Sequence, residues 1–226
     1  CGNGPHHAGE DTAMTDNRFL WEYDEALGFD GLCGIDEVGR GPLAGPVCAA
    51  CVVLPRGLKL PALNDSKKMT EKRREETHAL LTGCPEVFYG IGFATQQEID
   101  EINILQATKL AMRRAVHDLE QKLADAGKDP LDYLLFDAVK IEELDLPQQS
   151  IIKGDAKVLA IAAASIIAKV TRDRMMVKYA EVYPGYAFEK NKGYGTKAHY
   201  EGLGLQGICP IHRRTFLKGK SYPSQE

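Results

Sequence analysis

The chain has 226 residues, 44% of them hydrophobic, and a net charge of −4, which is enough material for one substantial core. Its longest uncharged apolar stretch, residues 158–168, is well short of the roughly 20 residues that span a bilayer, so we expect a soluble protein. The six cysteines are scattered without a paired framework, which is typical of a reducing cytoplasm.

The charge is unevenly distributed along the chain. Residues 1–30 carry seven acidic side chains and one basic one, whereas residues 187–220 carry seven Lys or Arg against two Glu. The basic C-terminal segment is compatible with a local phosphate-binding surface and equally with a solubilising lysine face. Residues 1–18 lack the apolar region of a secretory signal, and we expect them to form a disordered extension.

The first half of the chain contains three predicted strands, with a helix before the third. An amphipathic start at residues 19–27 precedes two strands, at 32–38 and 47–54, which are bracketed by glycine and proline. Thr70 is a suitable N-cap for the next helix, and residues 87–95 predict a half-exposed strand.

A long helical region then begins at Thr95 or Asn103 and ends at Gly127, followed by Pro130. The second half predicts a short buried strand at 133–137 and another at 150–153. An alanine-rich helix follows from Asp155 to about Tyr179. Together these elements predict an α/β layered domain with a mixed sheet, followed by a smaller C-terminal addition.

Two adjacent acids, Asp36 and Glu37, close the first strand and are followed at once by Gly39-Arg40-Gly41. The glycines superficially match a dinucleotide-binding fingerprint, but that fingerprint must open a helix, and here a second strand follows. The alternative is a hairpin turn with a charged edge. Two further acids, Asp137 and Asp155, favour an active site over a simple hairpin turn.

Asp137 closes a later buried strand and Asp155 precedes a helix, so these acids should meet Asp36 and Glu37 at one edge of the sheet. Four converging carboxylates repel one another unless hard divalent cations bind them. Two such cations can hydrolyse a phosphodiester without a general-base histidine. Both adjacent acids can be ligands only if the strand breaks there, because neighbouring strand residues face opposite ways, and Gly39 permits such a break.

Two cysteine patterns are weaker signals. Residues three apart on a strand point to opposite faces, so Cys48 and Cys51 are predicted core residues and not metal ligands. The pair Cys209 and His212 has no second half that would complete a zinc site.

Five motifs resemble the bacterial ribonuclease HII family, and the resemblance extends from about residue 19 to about residue 217. They lie at residues 34–47, 64–68, 153–157, 162–174 and 191–196. The resemblance implies a ribonuclease H-like three-layer α/β fold with a mixed central sheet. It further implies a catalytic domain at 19–182 and a small helical, basic substrate-binding extension at 183–226.

The resemblance also implies an activity, a cofactor and a substrate. The expected enzyme is a cytoplasmic monomer that depends on Mg²⁺ or Mn²⁺. It would cleave RNA in RNA/DNA hybrids and incise 5′ to single ribonucleotides embedded in duplex DNA. The related ribonuclease HIII family carries an additional N-terminal domain, which residues 1–18 are too short to supply.

Site residues carry over from the family position by position. The metal-binding acids would be Asp36, Glu37, Asp137 and Asp155. Gly39, Arg40 and Gly41 would sense the ribose, and Tyr194 would pack on the following deoxyribose. Further phosphate contacts would come from Lys67, Arg172 and Lys192.

Two other classes of function remain open. A hybrid-binding protein could keep the fold without catalysis, although it would have no need for four repelling carboxylates. A resolvase-like or transposase-like nuclease of the same fold would not require the 2′-hydroxyl, so an all-DNA substrate separates it from a ribonuclease.

Overall fold

A five-stranded mixed sheet forms the middle of the computed structural model, which describes residues 26, 28, 31–56, 58, 69–137, 141–219 and 221–223. The strands are β1 Leu32–Val38, β2 Val47–Val53, β3 Phe88–Ala94, β4 Tyr133–Phe136 and β5 Gln148–Ser150. They lie in the order β3-β2-β1-β4-β5. The strands β1, β2 and β3 pair antiparallel, whereas β1, β4 and β5 are parallel. The predicted α/β class with a mixed sheet is confirmed.

Helices cover both faces of this sheet and give the predicted three layers. The α-helices are α1 Glu71–Gly83, α2 Gln96–Asp125, α3 Leu159–Val182, α4 Phe188–Asn191 and α5 Lys197–Gln206; two short 3-10 helices span Gly154–Ala156 and Arg214–Leu217. Helix α2 packs on β2 and β3, whereas α3 packs on the opposite face of β1 and β2, with α1 against it. No helix of the described residues is both long and apolar enough to cross a bilayer.

The core is divided by the sheet into two apolar layers. Cys51 packs in the layer beneath α2 and Cys48 in the layer beneath α3, which confirms that both are core residues on opposite faces. Helix α3 approaches β1 so closely that a Cβ at Gly34 would lie 2.2 Å from the carbonyl carbon of Ala160. A residue without a side chain is therefore needed at position 34.

Both predicted starts of the long helix are correct, because α2 consists of two helical segments joined at a kink. Thr95 and Glu98 form a reciprocal capping box at the first start. Asn103 interrupts the helix with φ of 69°, and its Oδ1 accepts from the amides of Leu105 at 3.0 Å and Gln106 at 3.1 Å. Asn103 therefore caps the second segment.

Two predicted boundaries are wrong, and both lie near the acids. The strand expected at 150–153 lies at Gln148–Ser150, where it pairs with β4. Asp155 does not open the long helix but lies in the 3-10 helix before it, and α3 begins only at Leu159. Lys153, with φ of 58°, makes the left-handed turn that separates the strand from the 3-10 helix. The segments predicted at 19–27 and 64–68 fall almost entirely outside the described residues.

The C-terminal residues pack against the β1–β2 loop. An isolated bridge pairs Ala44 with His212, and the Gly45 amide donates to the carbonyl of Ile211 at 2.8 Å. An apolar cluster that includes Met176 and Tyr186 fills the space beneath. This packing brings the end of the chain to the edge of the sheet where the acids lie.

Candidate active site

Asp36 and Asp137 lie side by side at the carboxyl edge of the parallel strands β1 and β4. Ile35 pairs with Phe136 in the β1–β4 ladder, so Asp36 and Asp137 are the next residues on neighbouring strands. Parallel α/β sheets bind their ligands at this edge. The predicted convergence of these two acids follows directly from the strand register.

Asp36 is a buried carboxyl, with 8% of its surface exposed. Its Oδ1 accepts from the Glu37 amide at 2.8 Å, and the Ser165 hydroxyl of α3 also donates to it. Burial, together with the charges of Glu37 and Asp137, raises the pKa of Asp36 to about 8, against the opposing effect of these hydrogen bonds. In the absence of a cation the folded protein therefore favours the protonated acid.

Glu37 is also held in a partly buried position. Burial raises its pKa, whereas Arg40, whose Nη1 lies 3.4 Å from Oε1, opposes that effect. The other oxygen, Oε2, is buried and accepts no hydrogen bond from the described residues. A buried carboxylate oxygen without a donor is a ready ligand for a cation.

The two later acids are joined through a backbone hydrogen bond. The Gly154 amide donates to Asp137 Oδ1 at 3.2 Å, which ties the 3-10 helix to the end of β4. Asp155, the next residue, is buried with 5% of its surface exposed. This bond places the segment that carries Asp155 against the edge of the sheet.

The expected strand break at the adjacent acids does not occur. The ladder with β2 continues through Glu37 to Val38, and the chain turns only at Gly39, where φ is 92°. Nevertheless, the charge of Asp137 raises the pKa values of both Asp36 and Glu37. Both acids therefore lie within electrostatic reach of the end of β4, although they are neighbours on one strand.

The donor set of this site fits a hard divalent cation. Its side chains offer carboxylate oxygens, and one oxygen of Glu37 accepts no hydrogen bond from the described residues. Burial and the like charges of Glu37 and Asp137 raise the pKa of Asp36. The described His, Cys, Asp and Glu side chains form no preassembled group of three metal ligands.

The loop after β1 lies beside these acids and contacts Tyr194. A Cβ at Gly39 would lie 2.2 Å from Nε of Arg172, so the loop passes directly over that side chain. A Cβ at Gly41 would lie 3.5 Å from the Tyr194 ring. Tyr194 is 44% exposed and Arg40 is exposed, so both present side chains to solvent next to the acids.

The prediction that Arg172 contacts phosphate does not fit its position. Arg172 is fully buried, and its guanidinium donates to the carbonyls of Pro46 at 2.9 Å, Lys192 at 2.9 Å and Ala44 at 3.1 Å. Burial lowers its pKa. Arg172 therefore joins the β1–β2 loop to the segment before Tyr194 and does not reach a nucleic acid.

The two predicted lysine contacts differ in what the structure says of them. Lys192 adopts φ of 51°, and its ammonium donates to the carbonyl of Glu189. Its partly exposed side chain lies two residues before Tyr194. Lys67 lies outside the described residues.

Residues that the sequence reasoning missed support the site from beneath. Ser165 is the one hydroxyl side chain within the apolar stretch 158–168, and that isolation is a signal that could have identified it. Arg213 is fully buried and donates to the β1–β2 loop. His199 and His212 form a buried pair, with 2.9 Å between their Nε2 atoms. Their spacing in sequence carries no comparable signal.

Comparison with known proteins agrees with this architecture. The ribonuclease HII family model matches residues 33–219. Ribonuclease HII of Caldanaerobacter subterraneus subsp. tengcongensis is 50% identical over 196 residues, covering 87% of this chain and 77% of that protein. The ribonuclease H2 structure from Pyrococcus horikoshii OT3 superposes with a TM-score of 0.61 at 27% identity, covering 81% of this chain and 92% of that one. The structure of the PCNA:RNase HII complex from Archaeoglobus fulgidus superposes with a TM-score of 0.64 at 22% identity, covering 84% of this chain and 95% of that one.

A mixed sheet with buried acids at its carboxyl edge, in a fold shared with these structures, defines the class of protein as a ribonuclease, a hydrolase that acts on RNA. The match extends over most of the chain, and half of the aligned residues are identical to those of a bacterial relative. The chain belongs to the ribonuclease HII family.

Proposed function

We propose that this protein is a metal-dependent endoribonuclease that cleaves RNA in RNA/DNA hybrids and incises 5′ to single ribonucleotides embedded in duplex DNA. The products would carry a 3′-hydroxyl and a 5′-phosphate. One observation carries the proposal: the acids at the ends of β1 and β4 lie directly beside a loop that exposes Arg40 and contacts Tyr194. Such a site combines hydrolytic groups with groups suited to sugar and phosphate recognition.

Asp36, Glu37, Asp137 and Asp155 would hold two divalent cations, Mg²⁺ or Mn²⁺. Bound cations of this kind supply an activated water and stabilise the leaving oxygen of a phosphodiester. The orphaned oxygen of Glu37 and the raised pKa of Asp36 support the assignment, because both features favour a positive charge at this edge. The chain itself contributes rigid positions for these carboxylates, since Ser165 and the Gly154 amide hold two of them.

Substrate selection would depend on the Gly39–Gly41 loop and Tyr194. The exposed guanidinium of Arg40 can bind a phosphate, although its Nη1 also lies 3.4 Å from Glu37. The Tyr194 ring offers a flat apolar surface to the sugar that follows the ribonucleotide. A 2′-hydroxyl is the group that distinguishes RNA from DNA at one position, so this loop would set the site of cleavage.

Cleavage assays on three labelled substrates test the proposal. They are a DNA duplex with one ribonucleotide, an RNA/DNA hybrid and an all-DNA duplex, each with Mg²⁺, with Mn²⁺ and with chelator. We expect metal-dependent incision of the first two and none of the third. Cleavage of the all-DNA duplex would instead indicate a resolvase-like nuclease.

Asp36→Asn tests the catalytic assignment, because it removes a carboxyl group that can ionise to bind a cation while it preserves the shape of the side chain. We expect it to abolish cleavage and to leave hybrid binding intact. The exposed Asp145→Asn is the matched control and should retain wild-type turnover. Turnover by Asp36→Asn would remove Asp36 from the metal site, whereas a wild type that binds hybrids without cleaving any substrate would indicate a binding protein.

We further propose that the protein acts as a cytoplasmic monomer. The site requires no residue from a second copy, because its acids and its recognition loop come from one chain. Light scattering at assay concentration tests this, and a stable dimer would contradict it.

A further inference from the structure

Arg213 lies fully buried beneath the β1–β2 loop and donates to three of its carbonyls. Nη2 donates to Gly39 at 2.5 Å, Nη1 to Arg40 at 2.9 Å and Nε to Gly45 at 2.9 Å. No carboxylate of the described residues forms an ion pair with this guanidinium, so its hydrogen-bonding capacity is directed at the loop backbone. We propose that Arg213 is a positioning residue for ribose recognition, which orients the peptide groups of the Gly39–Gly41 loop toward the substrate.

The geometry of the peptide bond links these carbonyls to the substrate side of the loop. In a trans peptide the C=O and the following N–H point in opposite directions, and the described chain has no cis bond. Because the carbonyls of Gly39 and Arg40 face Arg213, the amides of Arg40 and Gly41 face away from it. Neither amide donates to another described residue. Two successive amides that point outward form a binding site for a hydroxyl or phosphate oxygen.

An arginine is suited to this task in a way that lysine is not. Its planar guanidinium holds several N–H donors in a fixed fork, so it binds three carbonyls from one position. A lysine ammonium is a compact group that cannot span the same three oxygens at once. The Arg213→Lys variant would therefore keep the charge and release part of the loop backbone.

His212, the residue before Arg213, connects the C-terminal segment to Tyr194 through hydrogen bonds. His199 Nδ1 donates to the carbonyl of Tyr194 at 2.9 Å, so its Nε2 is free to accept from His212 Nε2 at 2.9 Å. The Cys209 amide donates to the remaining nitrogen of His212 at 3.0 Å. This series of hydrogen bonds assigns the tautomers of His199 and His212. It also joins Tyr194 to His212, which is adjacent to Arg213 in sequence.

The inference rests on the proposed function and is tested by comparing substrates that differ in one 2′-hydroxyl. For Arg213→Lys we expect kcat/KM on the single-ribonucleotide duplex to fall by about tenfold or more, while affinity for the all-DNA duplex stays within about twofold. Arg114→Lys is the matched control, because Arg114 also donates to a backbone carbonyl, that of Phe93 on β3, and makes no hydrogen bond to the loop among the described residues. That variant should retain wild-type kinetics.

The outcomes separate the two proposals. If the wild type discriminates between the duplexes and Arg213→Lys discriminates equally well, the positioning role of Arg213 is refuted and the proposed function stands. If the wild type itself shows no preference for the ribonucleotide, the proposed function fails, and this inference fails with it. An equal loss of affinity for both duplexes would also refute the role, because it would indicate general damage.

Amide hydrogen exchange provides a test that does not depend on the folding of an Arg213 variant. In the Asp36→Asn protein, which should bind without cleaving, the amides of Arg40 and Gly41 should become protected by the ribonucleotide duplex and remain unprotected with the all-DNA duplex. Equal protection by both duplexes, or protection by neither, would overturn the inference.

Discussion

Replacing Asp36 with Asn should stabilise the metal-free protein at neutral pH. Burial, together with the charges of Glu37 and Asp137, raises the pKa of Asp36 from 3.8 to about 8 in the folded chain. The folded carboxyl therefore keeps a proton that the unfolded chain releases. Its contribution to stability is fully present below pH 3.8 and is lost as the pH rises toward 8.

The size of the effect follows from that difference in pKa. Within this window each pH unit lowers the free energy of unfolding by about 1.4 kcal/mol. Between pH 5 and 7 the wild type should therefore lose about 3 kcal/mol relative to Asp36→Asn, whose amide does not titrate. The Asn side-chain oxygen can still accept the hydrogen bond that the Glu37 amide donates to Asp36 at 2.8 Å, so the variant keeps that contact.

Urea unfolding in EDTA at several pH values measures this difference. The stability gap between Asp36→Asn and the wild type should widen with pH, and Mn²⁺ should narrow it because a bound cation favours the ionised acid. Asp145→Asn controls for the same replacement at an exposed position outside the site. A gap for Asp36→Asn that stays constant between about pH 5 and 7 would refute the conclusion that this acid is protonated in the metal-free fold.

Further predictions concern packing, capping and binding. Gly34→Ala would place a Cβ 2.2 Å from the carbonyl carbon of Ala160, and it should lower the free energy of unfolding, measured with urea, by about 3 kcal/mol. Gly83→Ala is the control and should cause no such loss, because its Cβ would have no neighbour within 4 Å. Thr95→Ala removes the capping box and should cost about 1 kcal/mol in the same assay. Tyr194→Ala should raise KM for the ribonucleotide duplex, while Tyr194→Phe should not. Equal KM values for the two variants would exclude stacking of the Tyr194 ring on the substrate. Hybrid affinity should fall steeply between about 50 and 200 mM salt, and indifference to salt would exclude binding through phosphates.

Much of the fold could be predicted because its signals are local. Apolar runs bracketed by glycine and proline located the first two strands, and an alternating pattern located the third, each to within about one residue. The helix caps were also readable, since Thr70 accepts from the Arg73 amide at 3.3 Å, as expected. The acids could be placed together because parallel strands bring their carboxyl ends to one edge, and the β1–β4 register does so.

The errors arose where tertiary contacts override local pattern. Arg172 lies on a helix among other charged residues, and the sequence does not reveal that backbone carbonyls of a distant loop surround it. Arg213 lies within the basic C-terminal segment, yet its full burial means that it adds nothing to a surface for phosphate. The strand break expected at the adjacent acids comes later, at Gly39, because pairing with β2 holds the backbone extended through Val38.

The loop after β1 depends on residues from the opposite end of the chain. The hydrogen bond from Arg213 to the Gly39 carbonyl joins residues 174 positions apart. Contacts of such long sequence separation carry a loop-closure cost, since a large loop of chain must close before they can contribute. During synthesis the acids on β1 and β4 can come together while the recognition loop still lacks its support. If the loop selects the substrate as proposed, the contacts that support this selection are completed only after the C-terminal residues have been synthesised.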